Sequence, residues 1–407
     1  MNKLKRAIFL VREEGWRRML GRGLRYLSNG FLRVKPEVPS MMVSAREIMA
    51  LDWTEPRATW GASRDTGPYE IAWIMSPPGR GSGGHQNLFR FIRFAEDAGH
   101  RCRIYLYTTL VEKPTLEQTR EMLLESDAYA RVNAEIAWYD PKAGVSPSTD
   151  AIFATGWETA YPAYLDPTTA KRLYFVQDYE PSFYPVGTQS LLAENTYRFG
   201  FHGITAGKWL SHKLSSEYGM TCSHFDFASD SRDYFVTNPE NRDELFFYAR
   251  PVTARRAFEL GVLVLEEFAR RRPDVTINLA GWDVSEYDLP FAFRSHGAMD
   301  LRDLNELYNR CRAGLVLSLT NMSLLPLELI ASGVTPVVND AENNRLVSEH
   351  PSIAFVPPNP KAMAKKLLEI FEAPYDPVRT STQEKSLSWT ESGAQFVTAL
   401  EGALRND

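Results

Sequence analysis

The chain has 407 residues, 44% of them hydrophobic and 24% charged, with a net charge of −5. That length suits roughly two to three domains, and the mild acidity gives no reason to expect nucleic acid as a partner. Three scattered cysteines without a CxxC pair, and seven histidines without an HExxH spacing, argue against a disulfide framework and against a metal site.

Residues 1–33 carry nine Lys or Arg against two acids, Glu13 and Glu14, with Ile8, Phe9, Trp16, Met19, Leu20, Leu24 and Leu27 between them. The pattern predicts a basic amphipathic helix, suited either to an anionic membrane surface or to packing on its own domain. No apolar run reaches the roughly 18 residues of a membrane span, and no h-region of a signal peptide appears, so the cytoplasm is the expected location, with peripheral membrane contact through residues 1–33 left open. Residues 34–66, with Pro36, Pro39, Pro56 and Gly61, read as an irregular connection.

From Tyr69 the pattern alternates. Tyr69–Met75 predicts a strand, Ser76–Gly84 a Pro/Gly loop, His85–Ala98 a helix and Cys102–Tyr107 the next strand. Ile136–Tyr139, Ala151–Ala154, Arg172–Val176 and Phe201–Thr205 are further short apolar runs bounded by turn residues. The polar stretch Tyr234–Asp243 reads as a linker, after which the alternation restarts. Leu245–Ala249, Val275–Ala280, Ala313–Leu319 and Val334–Val338 predict strands; Arg255–Arg271, Asp300–Cys311 and Pro360–Phe371 predict helices. The expected fold is α/β, with two Rossmann-like doubly wound domains (67–240 and 241–385) facing a central cleft. An extension (1–66) precedes them and a closing segment (386–407) follows.

Gly79-Arg80-Gly81-Ser82-Gly83-Gly84 matches GxGxxG between a strand and a helix. Pro77-Pro78 stiffen the turn, and the next strand ends in Tyr107-Thr108-Thr109 without the acid a dinucleotide ribose needs. Gly83 and Gly84 therefore read either as a close approach to a phosphate or sugar, or as a tight turn that binds nothing. In the second half Arg250 follows a strand and Arg255 opens a helix, so two guanidiniums lie near a sheet's carboxyl edge, where their planar forks suit a diphosphate. Asn321-Met322-Ser323-Leu324-Leu325-Pro326-Leu327-Glu328 is a loop running into a helix. Ser323 suits a cap or a phosphate. Glu328 suits ribose hydroxyls, or simply the positive end of the helix.

At these residues the chain resembles the family-4 retaining glycosyltransferases of the GT-B fold. Ala249-Arg250 with Arg255 resembles the family's GR-x4-K phosphate clamp, with arginine in place of lysine. Asn321 and Glu328 occupy the two acidic positions of its E-x7-E motif, the first as an amide. Gly83 and Gly84 followed by His85 resemble the N-terminal glycine loop, Gln177-Asp178 the family's His-Asp pair, and Gly281 the glycine after the second strand of the C-terminal domain. Phe247–Pro251 with Arg256–Gly261, and Val176–Pro181, look closer still to a WsaF-like branch that includes bacterial rhamnosyltransferases.

The resemblance implies an N-terminal acceptor domain, a C-terminal donor domain and a last helix (Ala394–Leu404, anchored by Trp389) that crosses back onto the first domain. It also implies metal-independent transfer of a hexose with retention, rhamnose from dTDP-rhamnose, onto a surface polysaccharide or lipid-linked glycan. Catalysis then falls to Arg250, Arg255 and Asp178. Donor binding falls to Gly83, Gly84, Arg250, Arg255, Gly281, Asn321, Ser323, Leu324 and Glu328, and acceptor or sugar contacts to His85, Gln177 and Glu180. Two other classes stay open. One is a nucleotide-sugar-binding module that has lost turnover, favoured by Asn321 and the missing histidine. The other is a dinucleotide-dependent oxidoreductase resting on the glycine loop.

Overall fold

The structure, a computed structural model, describes residues 43–55, 60–61, 64, 66–80, 82–110, 113–230, 232–240, 242–382 and 387–405. The amphipathic segment 1–33, most of the connection 34–66 and Gly81 of the glycine loop lie outside them.

The central strands read as near-continuous apolar runs because helices cover both faces of each sheet. In chain order they are β1 (Glu70–Met75), β2 (Arg101–Leu106), β3 (Glu135–Trp138), β4 (Ala151–Ala154), β5 (Lys171–Val176), β6 (His202–Ala206) and β7 (Cys222–Phe225), then β8 (Glu244–Tyr248), β9 (Ile277–Ala280), β10 (Arg294–Gly297), β11 (Cys311–Val316), β12 (Thr335–Asn339) and β13 (Ala354–Val356). The first seven form one parallel sheet in the order β3-β2-β1-β4-β5-β6-β7. The last six form a second, in the order β10-β9-β8-β11-β12-β13. Strand order reverses between β1 and β4 in one sheet and between β8 and β11 in the other. Such reversals open crevices at the strands' carboxyl ends. Both lie within one compact unit, residues 42–407.

Six helices bear on the site: α1 (Gly83–Asp97), α2 (Trp157–Leu165), α3 (Phe258–Arg271), α4 (Leu301–Tyr308), α5 (Leu325–Ala331) and α6 (Trp389–Leu404). Helix α1 buries Leu88, Phe89, Phe91, Ile92 and Ala95, a stripe at helical spacing against the first sheet. Helix α6 follows the second sheet in sequence but packs on α1, β6 and β7 of the first. Its Phe396, fully buried, meets the rings of Trp73, Phe91, Phe153, Phe175 and Phe225. Gly393 makes the approach possible: a Cβ there would stand 2.7 Å from the Phe94 ring. Trp389, at the head of α6, lies under the Arg90 guanidinium of α1 at 3.9 Å. Among the described residues no helix is long and apolar enough to cross a membrane.

Several boundaries differ from the sequence reading; the closing helix begins at Trp389 and α1 at Gly83, and two further shifts have clear local causes. The helix expected from Arg255 begins at Phe258, because residues 254–256 form a 3-10 turn and Ala257 takes a left-handed conformation (φ 47°). The helix expected over Asp300–Cys311 ends at Tyr308, and Cys311 already pairs with Glu244 in the sheet. The polar linker is pinned rather than loose. Arg242, 1% exposed, donates to the carbonyls of Asn238, Tyr308 and Ser332, and Asn309 Oδ1 accepts the backbone N–H of Thr237.

Candidate functional site

A cleft of about 840 Å³ opens where the carboxyl ends of the two sheets face each other. On one side β8 delivers Arg250, and the turn 254–256 throws Arg255 and Arg256 into the same space. A regular helix through Ala257 would point consecutive side chains about 100° apart. The left-handed residue, worth roughly 1–2 kcal/mol of strain, breaks that geometry. Arg250 is half-buried and donates to Gly281 O at 3.3 Å, with the Trp282 ring 5.9 Å away. Arg256 donates to Ser318 Oγ at 2.9 Å. Burial depresses its guanidinium; Asp178 supports the charge, and Arg255 and Arg250 repel it. Three like charges are thus gathered in one place.

Arg255 reaches across the cleft. Its Nε donates to Asp178 Oδ2 at 2.9 Å, and its guanidinium lies 4.2 Å from the Phe183 ring centre. Asp178 Oδ1 accepts the backbone N–H of Asn321 at 3.0 Å. Asn321, 3% exposed, donates its amide to the carbonyls of Gln177 (3.0 Å) and Ala206 (2.9 Å), both at the edge of the first sheet.

The loop after β11 is rigid because asparagines hold it. Asn339 exchanges two bonds with the Ser318 backbone, both 2.9 Å, and Asn343 donates to the carbonyls of Ser318 and Thr320. Three polar atoms in this otherwise saturated loop find no partner: Thr320 Oγ1, Asn321 Oδ1 and Ser323 Oγ. Orphaned buried acceptors and hydroxyls are rare in proteins and call for an explanation. Asn321 and Ser323 line the cleft.

Glu328 falls in the first turn of α5, half-buried and facing the cleft. Burial pushes its carboxyl up to about 7 against the opposing charge of Arg90; Asp233 adds to the rise and a Tyr234 hydrogen bond to the fall. Phe246, Tyr248, Met299, Leu304 and Tyr308 add apolar surface to the same cleft.

The structure brings Gly83, Gly84, Gln177, Asp178, Glu180, Arg250, Arg255, Gly281, Asn321, Ser323, Leu324 and Glu328 to this one cleft. Gly83 would meet nothing within 4 Å if it carried a Cβ, and Gly84 only Gln177 Nε2 at 3.7 Å. Protein packing therefore does not demand glycine at either position. His85 is not among the lining residues: its Nε2 lies 3.0 Å from Ser76 O and its Nδ1 2.8 Å from Ser82 Oγ, so the ring is spent inside the β1–α1 loop. Glu180 lines the cleft but is 6% exposed, and its Oε2 accepts from Trp157 N–H (2.5 Å) and Tyr174 Oη (2.8 Å).

Sequence reasoning missed Arg256, Glu158 and Arg90. Arg256 was legible as the neighbour of Arg255 once a break before Phe258 is allowed. Arg90 lies mid-helix in α1 and gave no signal.

Two facing, doubly wound parallel sheets tied by a returning C-terminal helix, with the cleft between them, constitute the GT-B fold. Solved GT-B structures agree. S. aureus TarM, in a complex with UDP, fondaparinux and α-GlcNAc-glycerol, superposes with a TM-score of 0.62 over 83% of this chain and 100% of its own, at 8% identity. Anabaena Alr3699/HepE, in complex with UDP-glucose, gives 0.61 over 82% and 100%, at 13% identity. More specifically, residues 86–206 match the WsaF N-terminal domain and residues 243–368 the WsaF C-terminal domain, so the chain belongs to the WsaF family. The O-antigen biosynthesis protein RfbC of Myxococcus xanthus is 32% identical over 301 residues, 72% of this chain; the match spans only 24% of RfbC's own length.

Proposed function

We propose that the chain is a glycosyltransferase that moves a sugar from a nucleoside diphosphate donor onto a glycan or lipid-linked acceptor in surface-polysaccharide assembly. The observation that carries the reading is a cluster of three guanidiniums on the second-sheet side of the cleft. Arg250, Arg255 and Arg256 converge there, and Asp178 is ion-paired to Arg255 within that cluster, while Glu158, Glu180, Asp300 and Glu328 line other parts of the cleft. A diesterified pyrophosphate, with two negative charges, suits such a cluster. In this reading Glu328 accepts from ribose hydroxyls, the apolar side chains of the second-sheet side take the base, and Ser323 Oγ takes a phosphate oxygen. Family membership and the RfbC match support the direction toward O-antigen-type polysaccharide.

As the glycosidic bond breaks, charge grows on the leaving diphosphate. Preorganised guanidiniums stabilise that charge without reorganising. Since they meet the phosphate charge themselves, the reaction proposed needs no divalent ion. Retention follows if the leaving phosphate, held on the donor side, helps deprotonate the acceptor on the same face. The finer donor we infer is dTDP-rhamnose, from the WsaF membership. The test is a panel of nucleotide sugars incubated with glycan acceptors and read by mass spectrometry. Consumption of dTDP-rhamnose with linkage of rhamnose to acceptor is the expected result. Consumption of none, or tight NADH binding without nucleotide binding, overturns the reading.

A further inference from the structure

The first-sheet wall of the cleft carries chemistry the donor does not use. Thr155, Gly156, Trp157 and Glu158, at the start of α2, line it together with Phe183 and Tyr184. Glu180 is consumed internally, as described. Glu158 is more open: it is half-buried, and its carboxylate accepts its own backbone N–H and the Ser76 hydroxyl. It folds back over Gly156, where a Cβ would stand 2.9 Å from Glu158 Oε2, so the absent side chain at 156 makes room for the carboxylate.

A polar chain fixes it there. The Ser82 hydroxyl donates to His85 Nδ1 (2.8 Å), and His85 Nε2–H donates to the Ser76 carbonyl (3.0 Å). The Ser76 Oγ also lies 3.3 Å from His85 Nε2, from which it can only accept, so its own proton goes to Glu158. Burial lowers the His85 imidazolium's pKa, consistent with the neutral tautomer this chain requires. Burial likewise raises the Glu158 carboxyl, which sits beside Glu180.

A second observation points the same way. Asn321 Oδ1, buried and unpartnered, lines the same cleft, and its amide is tied to Gln177 O and Ala206 O of the first sheet. A wall offering acceptor oxygens calls for a ligand rich in hydroxyl donors. Phe183, 40% exposed, and Tyr184, which accepts from Trp157 Nε1 at 3.0 Å, add aromatic surface next to those oxygens. Carboxylate plus aromatic ring suits a pyranose, whose hydroxyls donate and whose C–H face packs on rings.

We propose that Glu158 is the acceptor-binding residue: its carboxylate accepts a hydroxyl of the incoming glycan, and His85 is a positioning residue that acts through Ser76. This rests on the glycosyltransferase reading for its meaning but not for its test. Saturation-transfer NMR with a rhamno-oligosaccharide, in the presence of dTDP, is run on the full chain and on Glu158→Ala and Glu158→Gln, with dTDP affinity measured in parallel by calorimetry. Expected are oligosaccharide binding by the wild type, at least tenfold weaker binding in both variants, and dTDP affinity within twofold throughout. Where transfer is measurable, acceptor KM rises and donor KM does not. His85→Ala weakens the oligosaccharide less, and adds nothing in the Glu158→Ala background. Equal oligosaccharide binding by wild type and Glu158→Ala overturns the proposal, as does absence of binding to the wild type, or additivity of the two substitutions. If the subsite binds as expected while no nucleotide sugar is consumed, the subsite stands and the transfer reading fails.

Discussion

Glu328 gives the sharpest handle on donor binding, because its carboxyl titrates where experiments are done. The group is pushed up to about 7 from an ordinary value of 4.5, burial being the main cause. At 1.36 kcal/mol per unit, ionising it in the unliganded cleft costs about 3 kcal/mol more than in the unfolded chain. The sign follows from proton uptake. Between pH 4.5 and 7 the folded protein holds a proton on Glu328 that the unfolded chain has released, so this group's contribution to stability declines as pH rises through that window. Ribose hydroxyls prefer the carboxylate, so donor affinity moves the opposite way: it rises with pH and levels off above about 7.

Below that plateau affinity falls by up to about tenfold per pH unit, less where the neutral acid still makes one hydrogen bond. The assay is calorimetry with an intact sugar nucleotide, whose diesterified pyrophosphate does not titrate in this range, in two buffers of different ionisation enthalpy. Binding below pH 7 should release a proton. Glu328→Gln should bind more weakly at pH 8 and lose the slope. If the wild-type affinity is flat from pH 5.5 to 8.5, or if Glu328→Gln keeps the slope, the ribose assignment is wrong.

The remaining expectations are briefer. Arg250→Ala should lower turnover by about 10²–10³, the usual loss for a transition-state charge contact; unchanged steady-state transfer would falsify the clamp. Arg90→Met removes the charge that opposes the rise at Glu328, so the pH midpoint of donor binding should move upward, with Arg90→Lys restoring it in the same titration. Phe396→Ala should destabilise the fold by about 3–5 kcal/mol, read as a shifted urea midpoint, because five aromatic rings surround the deleted one. On the proposed reading, in which guanidiniums meet the phosphate, chelation with EDTA should leave transfer within twofold; loss of transfer that a divalent ion restores would refute it.

The α/β alternation was legible because buried parallel strands announce themselves as apolar runs, as β1, β5 and β11 do. Of the edge strands, β3 was legible through Ile136–Tyr139, but β7, β10 and β13 were not: all three are only partly buried, and β10 reads Arg-Ser-His-Gly. The cleft-lining loops of the second half were legible as types of residue at sheet edges, which is why Arg250, Ser323 and Glu328 stand out in the sequence. What pattern could not supply is direction. His85 follows the glycines yet turns into its own loop, while Glu158 sits in an unremarkable helix start and faces the cleft. Arg256 was hidden by an assumed continuous helix, and only the left-handed Ala257 reveals where the three arginines point.

Asn321 shows how one departure from a family pattern can be forced by its surroundings. The resemblance places an acid at this position, which suggests a lost function. In the structure the side-chain amide donates to two carbonyls of the opposite sheet, Gln177 O and Ala206 O, while its backbone N–H meets Asp178. A carboxylate in that place would turn two hydrogen bonds into contacts between acceptors. Unpaired buried carbonyls alone cost roughly 1–3 kcal/mol each. The loop is therefore part of the seam between the sheets, and Oδ1 is left without a hydrogen-bond partner. The same seam holds Arg255 against Asp178, so on the proposed reading a diphosphate would have to share or displace that pair. Asn321→Asp tests the argument: it should loosen the seam, lowering the urea midpoint, and weaken sugar-nucleotide binding at the same time. A variant as stable as the wild type would mean the amide is not what joins the two halves.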